Sequence, residues 1–569
     1  MTNRFMRRTT AAVVAAALAL VAVPTVAAPA AAAGACGLGK TCEGNLSGSL
    51  GSSPYTIKMP KKFNGTVLVY SHGYRIATPI PQAIAVPLGF DKDPSYDKIS
   101  FPAFQASLGS DVAYIGSNRA AVSPSDAVEQ NLLAKGYALA GTGYAAQGWA
   151  TAEGVQSNEN LLKAIDKGAI KGVKKTMLWG SSLGGLIAAT VAERNPGEVD
   201  GLLPMCGVLA GPEQEFNTAM TVLYTWKALV APSLKVANYS GYSEALGDLG
   251  TVLTTLSTVA GNSSLVSSVG FPVAQANLLS GLMGGLPTKS QAFDGETLNP
   301  VALTQGTAAA IAGGYSFVSA GQSSAAAMLA NVGAAAALGI LGRYELEQRL
   351  RLTAGIPASQ SANFSDNVNV SYSRLLSPEQ RGEFGDTLNA TTVRENNLNT
   401  MLAVLDSTKG NASARFAANP KAVKALRALP APKGIYSVPT VMISTQYDQV
   451  VPAGNTQWYY DRVSASAKKK GGSVAQYYTE PPRGGWTVYD EGAKGPNSAA
   501  STAAATSGVG HCNFAINGGV QLTNSVRALE LLVKGATPKA TNKLMFKTAG
   551  VIPDEFFEPE ALKRPNLAK

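Results

Sequence analysis

The residues best suited to chemistry form a G-x-S-x-G pattern in the segment GSSLG, residues 180–184. Glycines stand two positions before and two positions after Ser182, whereas Ser181 lacks glycine at both corresponding positions. A serine on a sharp strand-to-helix turn takes a strained backbone, and side chains at the flanking Gly180 and Gly184 would meet the neighbouring strand and helix. The spacing therefore predicts Ser182 as a nucleophile.

A serine hydroxyl is a weak nucleophile and needs a base that takes its proton. The chain has only two histidines, His72 and His511. His511 lies in a glycine-rich loop before the last predicted helix, where the base stands in a Ser…Asp…His order, so we expect it to be the base. His72 follows an apolar strand. We expect it to be structural, with a role in the active site as the alternative.

An acid must orient the base and stabilise its charged form. Asp448 directly follows the predicted strand that begins at Pro439, in the turn Asp448-Gln-Val-Val-Pro. Asp461 and Asp490 are competitors. We predict Asp448, because Asp461 falls in a helical stretch and Asp490 in a long polar loop, where both are typical surface charges.

These residues sit on a chain that alternates strands and helices, which predicts a mostly parallel α/β sheet. The pattern stops near residue 211, gives way to Ala/Leu/Ser/Gly-rich helical sequence, and resumes near residue 439. The simplest interpretation is one sheet domain that carries a helical insertion of domain size. The predicted strands are 55–59, 65–70, 137–142, 176–179, 201–206, 439–444 and 476–478, and the predicted helices of the sheet domain are 153–167, 183–194 and 521–534.

Together these features resemble the α/β-hydrolase superfamily over residues 55–210 and 435–535. The resemblance implies an eight-stranded, mostly parallel sheet, with the insertion forming a large helical cap over the site. We expect the backbone N–H groups of Tyr74 and Leu183 to form an oxyanion hole. The motifs that carry the resemblance are His72-Gly73-Tyr74, Gly180-x-Ser182-x-Gly184-Gly185, Asp448-x-x-Val451-Pro452 and Gly510-His511.

The N-terminus is typical of an export signal, with three arginines before an apolar, alanine-rich run and several A-x-A sites. Pro24 interrupts that run, so a membrane anchor is the weaker interpretation and no stable span is expected after cleavage. Lipoprotein anchoring at Cys36 is a minor alternative to secretion. The predicted organisation is a signal peptide at 1–35, a Gly/Ser-rich lead-in at 36–54, core segments at 55–210 and 435–569, and the cap at 211–434.

The four cysteines are an even number in a chain expected to be exported. Cys36 and Cys42 are close in sequence and are predicted to pair. Cys206 then pairs with Cys512, which would tether the histidine loop to the sheet. Two free buried thiols are the alternative for this second pair.

Several classes of function are not indicated. The formal charge is +10, and the three signal arginines account for part of it, but no basic stripe with interleaved aromatic residues suggests nucleic acid. The two histidines lie in separate motifs and no Cys/His cluster has ligand spacing, so no metal is expected. No dinucleotide fingerprint follows a strand, so no cofactor is expected.

The sequence therefore favours a secreted serine hydrolase that cleaves an extracellular carboxylic ester through an acyl-enzyme. A serine exopeptidase of the aminopeptidase type is the second hypothesis, with Glu213 and Glu215 at the cap entrance as candidates for binding a substrate amine. The preferred interpretation of these two is an ordinary helix N-terminus. A polyester depolymerase and a non-enzymatic binding protein are further alternatives.

Overall fold

The computed structural model of the chain describes a sheet domain and most of its insertion. The predicted signal peptide lies outside it, except for its last two residues. The described residues are 34–261, 265–286, 334–389, 393–446, 448–480, 489–490, 495–496, 510–514, 519–548 and 550–568.

A nine-stranded sheet forms the centre of the fold. Its strands lie in the order β1-β2-β7-β3-β8-β9-β10-β11-β14, and a smaller sheet has the order β4-β6-β5. The strands are β1 Thr41–Gly48, β2 Gly51–Lys58, β3 Thr66–Ser71, β4 Ile80–Pro81, β5 Tyr96–Ser100, β6 Val112–Gly116, β7 Ala138–Thr142, β8 Lys175–Ser181, β9 Gly201–Met205, β10 Thr440–Thr445, β11 Val474–Thr479, β12 Tyr489–Asp490, β13 Gly495–Pro496 and β14 Val551–Pro553.

The middle of the large sheet is parallel, as the sequence predicted. Neighbouring strands from β7 to β11 pair in parallel, whereas β1, β2 and β14 join by antiparallel pairing. Strands β3, β7, β9, β10 and β11 are buried along their whole length, as expected for a sheet covered on both faces. The sheet has nine strands rather than eight, because the C-terminal segment adds β14 beside β11.

The lead-in at 36–54, expected to be loose, is instead part of the sheet. β1 and β2 form a hairpin in which Thr41 pairs with Lys58 and Gly48 with Gly51. Gly51 has a φ of 121°, which glycine adopts without a steric penalty. β1 is an edge strand whose residues alternate between exposed and half-buried. Its polar composition suits that edge, and because it contains no apolar run, the sequence pattern does not indicate a strand there.

Helices cover both faces of the sheet. The helices of the sheet domain are α1 Gln82–Ala85, α2 Pro102–Leu108, α3 Asp126–Ala134, α4 Thr151–Ala164, α5 Leu183–Arg194, α14 Gly454–Lys470, α15 Val520–Val533 and α16 Pro538–Met545. The short helices α1 and α2 flank the small sheet. One hydrophobic cluster joins the large sheet to α4, α5 and α14, and another joins it to α3, α15 and α16.

Between β9 and β10 the described chain forms the helices of the insertion. Most of them bury their apolar residues in one separate cluster. In the described part of the chain, no helix combines the length and the apolar character needed to cross a membrane. The insertion contains α6 Pro212–Leu229, α7 Tyr242–Gly261, α8 Val273–Gly284, α9 Ala334–Ala337, α10 Arg343–Thr353, α11 Pro378–Asn389, α12 Asn397–Ser407 and α13 Pro420–Arg427.

Candidate active site

Ser182 occupies the turn between β8 and α5. Its φ of 57° and ψ of −126° lie outside the regions that a residue with a side chain normally adopts. Such a conformation costs about 1–3 kcal/mol and persists only where the surrounding structure enforces it. The residue is 7% exposed, and its N–H donates to the carbonyl oxygen of Met205 at 3.0 Å. The strand and helix therefore hold Ser182 in a strained position at the end of β8.

Glycine is required on both sides of this turn because backbone atoms approach too closely for a side chain. A Cβ on Gly180 would lie 2.3 Å from the carbonyl oxygen of Gly184. A Cβ on Gly184 would lie 2.0 Å from the carbonyl oxygen of Ser71, in the adjacent β3. Both distances are far below a normal contact, so the spacing that marked Ser182 in the sequence has a direct steric cause.

The neighbouring Ser181 is engaged elsewhere. Its Oγ lies 2.6 Å from the hydroxyl oxygen of Tyr70, so the two hydroxyl groups share a hydrogen bond. Burial raises the pKa of Tyr70 to about 12, which keeps this partner protonated near neutral pH. Ser181 is therefore paired with a neutral phenol rather than with a base.

Asp448 and His511 are brought together from separate loops. The Oδ2 atom of Asp448 lies 2.8 Å from Nδ1 of His511. The other carboxylate oxygen, Oδ1, accepts hydrogen bonds from the N–H groups of Val450 at 2.9 Å and Val451 at 2.8 Å. Asp448 is fully buried, and His511 keeps a quarter of its side chain exposed. A buried acid thus holds Nδ1 of a histidine that stays partly exposed.

The competing acids lie elsewhere. Asp461 is on α14, where its Oδ1 accepts a hydrogen bond from the side chain of Gln457 at 2.7 Å on the surface. Asp490 lies in β12, which pairs with β13. The acid that is hydrogen-bonded to His511 is therefore Asp448, which the strand-to-turn context favoured.

The loop that carries His511 is tied to the sheet at two points. Cys512 forms a disulfide with Cys206 at the end of β9, with the Cα atoms 5.5 Å apart. Thr445, at the end of β10, donates a hydrogen bond from Oγ1 to the carbonyl oxygen of Gly510 at 2.8 Å. Both ties hold the histidine beside the ends of the central strands. The second disulfide joins Cys36 to Cys42, so the four cysteines pair as the sequence suggested.

The side chains around the Cys206–Cys512 disulfide do not suit a metal ion. Among the described residues, Cys206, His511 and Cys512 form the group whose ligand atoms lie close enough to share an ion. The two cysteines are joined in a disulfide, so neither offers a thiolate. A single imidazole binds a metal ion poorly, and the disulfide instead holds the loop of His511 against the sheet.

The predicted oxyanion donors flank the serine turn. Leu183 is the first residue of α5, so its N–H has no acceptor inside the helix. Gly73 lies against the turn, since a Cβ added there would be 3.3 Å from Cβ of Ser182. Tyr74 follows it directly. The loop at 72–74 and the start of α5 thus both border Ser182, and the donation of their N–H groups to a substrate stays a prediction.

Glu345, which no sequence pattern indicated, fixes this loop to the insertion. The Tyr74 hydroxyl donates a hydrogen bond to Oε2 of Glu345. Oε1 of Glu345 accepts hydrogen bonds from the N–H and Oγ1 groups of Thr78, both at 2.9 Å. Burial is the main cause that raises the pKa of Glu345 to about 7. The pairing joins residues 271 positions apart, which no local pattern could have indicated.

His72 is buried beneath the same loop. Its ring stacks on Tyr144 with the centroids 3.8 Å apart, and Nδ1 lies 2.7 Å from the carbonyl oxygen of Gly73. Burial, assisted by the charge of Arg75, holds the pKa of His72 well below its usual value. The ring is therefore neutral, which agrees with the structural role expected for it.

Two features decide the fold. A mostly parallel sheet is covered by helices on both faces, and a strained serine sits on a strand-to-helix turn with the acid and the histidine following in that order along the chain. The chain has the α/β-hydrolase fold. Its long insertion after β9 lies where the sequence placed a cap.

Comparisons with known proteins give structural matches alone. No protein-family model matches the chain, and no curated protein sequence matches it. Among solved structures, a hyperthermophilic esterase from the archaeon Pyrobaculum calidifontis is 12% identical with a TM-score of 0.20, and the match covers 30% of this chain and 47% of the esterase. This chain thus spans about half of that esterase.

Two longer matches are also to solved structures of esterases. A rice cell wall degrading esterase, LipA from Xanthomonas oryzae, is 13% identical with a TM-score of 0.29, over 77% of this chain and 81% of LipA. A monoclinic form of the Pyrobaculum calidifontis esterase is 9% identical with a TM-score of 0.30, over 88% and 87% of the two chains. Because these identities and scores are low, the fold assignment rests on the sheet and the serine turn.

Proposed function

We propose that the protein is a serine hydrolase that cleaves carboxylic esters through an acyl-enzyme. The observation that carries the proposal is the hydrogen bond between the buried Asp448 and Nδ1 of His511. The next residue, Cys512, is bonded to Cys206, which directly follows the Met205 that accepts the N–H of the strained Ser182. In this assignment Ser182 is the nucleophile, His511 the general base and acid, and Asp448 the group that orients His511.

The reaction proceeds in two acyl-transfer steps. Oγ of Ser182 forms a bond to the ester carbonyl carbon while its proton passes to Nε2 of His511. The N–H groups of Leu183 and Tyr74 stabilise the negative charge on the carbonyl oxygen. The C–O bond to the alcohol then breaks, and the alcohol leaves with the proton from His511. Water, deprotonated by the same nitrogen, releases the acid and restores Ser182.

The charges around the site favour an ester over a peptide with a free amine. Glu213 at the start of α6 forms an ion pair with Arg427, with Oε1 and Nη2 2.7 Å apart. Glu215 is buried, and this burial, with the charge of Asp448, raises its pKa well above its usual value. Glu213 is already paired with a cation, and burial disfavours a charge on Glu215, so neither residue supports the exopeptidase hypothesis.

We extend the proposal to an extracellular enzyme. The alanine-rich N-terminal run and its arginines support export, and two disulfide bonds suit an oxidising compartment. An extracellular polyester is one substrate that this location allows.

A matched pair of serine variants tests the proposal. We expect Ser182→Ala to abolish hydrolysis of p-nitrophenyl acetate and butyrate, because the nucleophile is lost. Ser181→Ala should keep most of the activity, since that hydroxyl bonds to Tyr70. Labelling with a fluorophosphonate followed by peptide mapping should place the adduct on Ser182. A fully active Ser182→Ala variant, or faster turnover of aminoacyl anilides than of esters, would contradict the assignment.

A further inference from the structure

An apolar channel runs along one face of α6 inside the insertion. Its lining residues on that helix recur at the spacing of one helical face and extend from Glu215 to Trp226. These two residues are 11 positions apart, which corresponds to about 16 Å along a helix axis. We call this cavity the α6 channel, and its α6 side is formed by Glu215, Phe216, Thr218, Ala219, Val222, Leu223 and Trp226.

One end of the channel adjoins the candidate active site. Gln449 and Val450, which directly follow Asp448, line it there. The N–H of Val450 donates to Asp448, so the wall of the channel and the acid are parts of one turn. On the other side, the ring of Phe216 lies 5.0 Å from that of Trp149. The channel thus borders the turn that follows Asp448 and extends into the insertion.

Small, partly exposed side chains of α6 line part of the channel. α6 is buried along most of its length, but Ala219 and Val222 on the channel face are only half-buried. Val252 and Leu256 of α7 form part of the facing wall. An apolar chain placed here would remove these side chains from water, which stabilises binding by about 0.8 kcal/mol per methylene group.

The channel carries polar atoms at its two ends that lack partners. No described residue forms a hydrogen bond with Oε2 of Glu215 or with Nδ2 of Asn277, although both side chains are more than nine-tenths buried. Asn277 holds its orientation because its Oδ1 accepts a hydrogen bond from Nε1 of Trp226 at 2.8 Å. Its amide N–H is thus a fixed donor at the far end, suited to an oxygen acceptor.

The charge of the lining selects an uncharged ligand. Glu215 is the one ionisable residue among the described residues that line the channel. Burial and the nearby Asp448 raise the pKa of its carboxyl group well above the usual value, which disfavours the charged form of this group. An ammonium group would enter an apolar cavity without a counter-ion, which is costly.

We propose that the α6 channel is the acyl site of the hydrolase, and that it takes an uncharged acyl chain that lies along α6 and carries an oxygen acceptor for Asn277. The substrate class is therefore an ester of a long hydroxylated or oxygenated acid rather than of a short acid or an amino acid. This inference rests on the proposed ester hydrolysis.

A length series of substrates and one blocked variant test the channel. The wild type should hydrolyse p-nitrophenyl esters with kcat/KM rising from acetate through butyrate and octanoate to laurate. Val222→Trp should lower kcat/KM for laurate by about tenfold or more, since it excludes several methylene groups, and leave acetate unchanged. Val222→Ala should keep the long-chain preference. Ala228→Trp, on the same helix but outside the channel lining, is the matched control.

The far-end donor is tested with two substrates of equal length. The p-nitrophenyl ester of 12-hydroxylaurate should be preferred over laurate by about threefold to tenfold, the worth of one hydrogen bond. Equal rates, or a preference for the plain chain, would overturn the role of Asn277. A flat length series in an active enzyme would overturn the channel alone. A wild-type enzyme inactive on every ester would instead contradict the proposed function, so the two failures are distinguishable even if Val222→Trp does not fold.

Discussion

Replacing Asp448 with asparagine separates the shape of the active site from its chemistry. The asparagine Oδ1 can still accept the hydrogen bonds from Val450 and Val451, because the two side chains have the same outline. The atom facing His511, however, changes from an acceptor to an N–H₂ donor. Nδ1 of His511 must then accept, which places the imidazole proton on Nε2. In that tautomer Nε2 has no lone pair for the proton of Ser182.

The expected loss of activity is large and the expected loss of stability is small. Fixing the wrong tautomer in a serine triad lowers kcat by about 10⁴-fold, which equals about 5.5 kcal/mol in the activation free energy. Asp448 makes three charge-assisted hydrogen bonds, and a neutral acceptor weakens each by about 1 kcal/mol. The free energy of unfolding should therefore fall by only about 2–3 kcal/mol.

Two measurements decide the matter. Steady-state hydrolysis of p-nitrophenyl butyrate gives kcat, and urea unfolding followed by tryptophan fluorescence gives stability. Asp461→Asn is the matched control, because Asp461 is an exposed acid on α14, and it should change neither value. If Asp448→Asn kept more than a tenth of the wild-type kcat while folded, the reasoning from the hydrogen bond to the tautomer would be refuted.

Two further predictions follow from the disulfides and from Glu345. The double variant Cys206→Ser/Cys512→Ser should lose about 5–6 kcal/mol of unfolding free energy in the chain-entropy treatment, because that bond closes a loop of 306 residues. The double variant Cys36→Ser/Cys42→Ser should lose only about 2 kcal/mol, because its cysteines are 6 residues apart. Denaturant titration measures both losses, and a larger loss for the short loop would contradict the estimate. For Glu345, whose pKa rises from 4.5 to about 7 on folding, the folded state retains a proton that the unfolded chain releases, so stability should fall between pH 4.5 and pH 7 by about 3 kcal/mol. Glu345→Gln should make the free energy of unfolding nearly independent of pH in this range, and thermal unfolding at several pH values measures this. If the variant kept the pH dependence of the wild type, Glu345 would not be its cause.

The features predicted from sequence were those with a local steric or chemical cause. Ser182 could be separated from Ser181 because Gly180 and Gly184 must lack side chains where β8, α5 and β3 meet. The predicted strands of the central sheet agree with the structure, because buried parallel strands are continuous apolar runs. Asp448 was predicted from its place after β10, and His511 from the scarcity of histidine; the structure joins the two by a hydrogen bond, and their catalytic roles stay a prediction.

What the sequence did not reveal depends on distant contacts. β1 was missed because a polar edge strand carries no apolar run, and β14 because three residues are too few for a pattern. Glu345 and Glu215 are ordinary acidic residues in helices, and only the folded structure shows that one anchors the loop of Tyr74 while the other is buried without a partner. The α6 channel is likewise formed by four helices that meet in space.

The bond between Cys206 and Cys512 turns most of the chain into a covalent ring. That ring contains the whole insertion, Asp448 and the strands β10 and β11, so a single protease cut anywhere within it would leave both fragments attached to one another. The nicked protein would run as one species on a denaturing gel without reductant and as two with it. In a medium rich in proteases, a cut in the insertion would therefore not release the histidine loop from the sheet that carries Ser182.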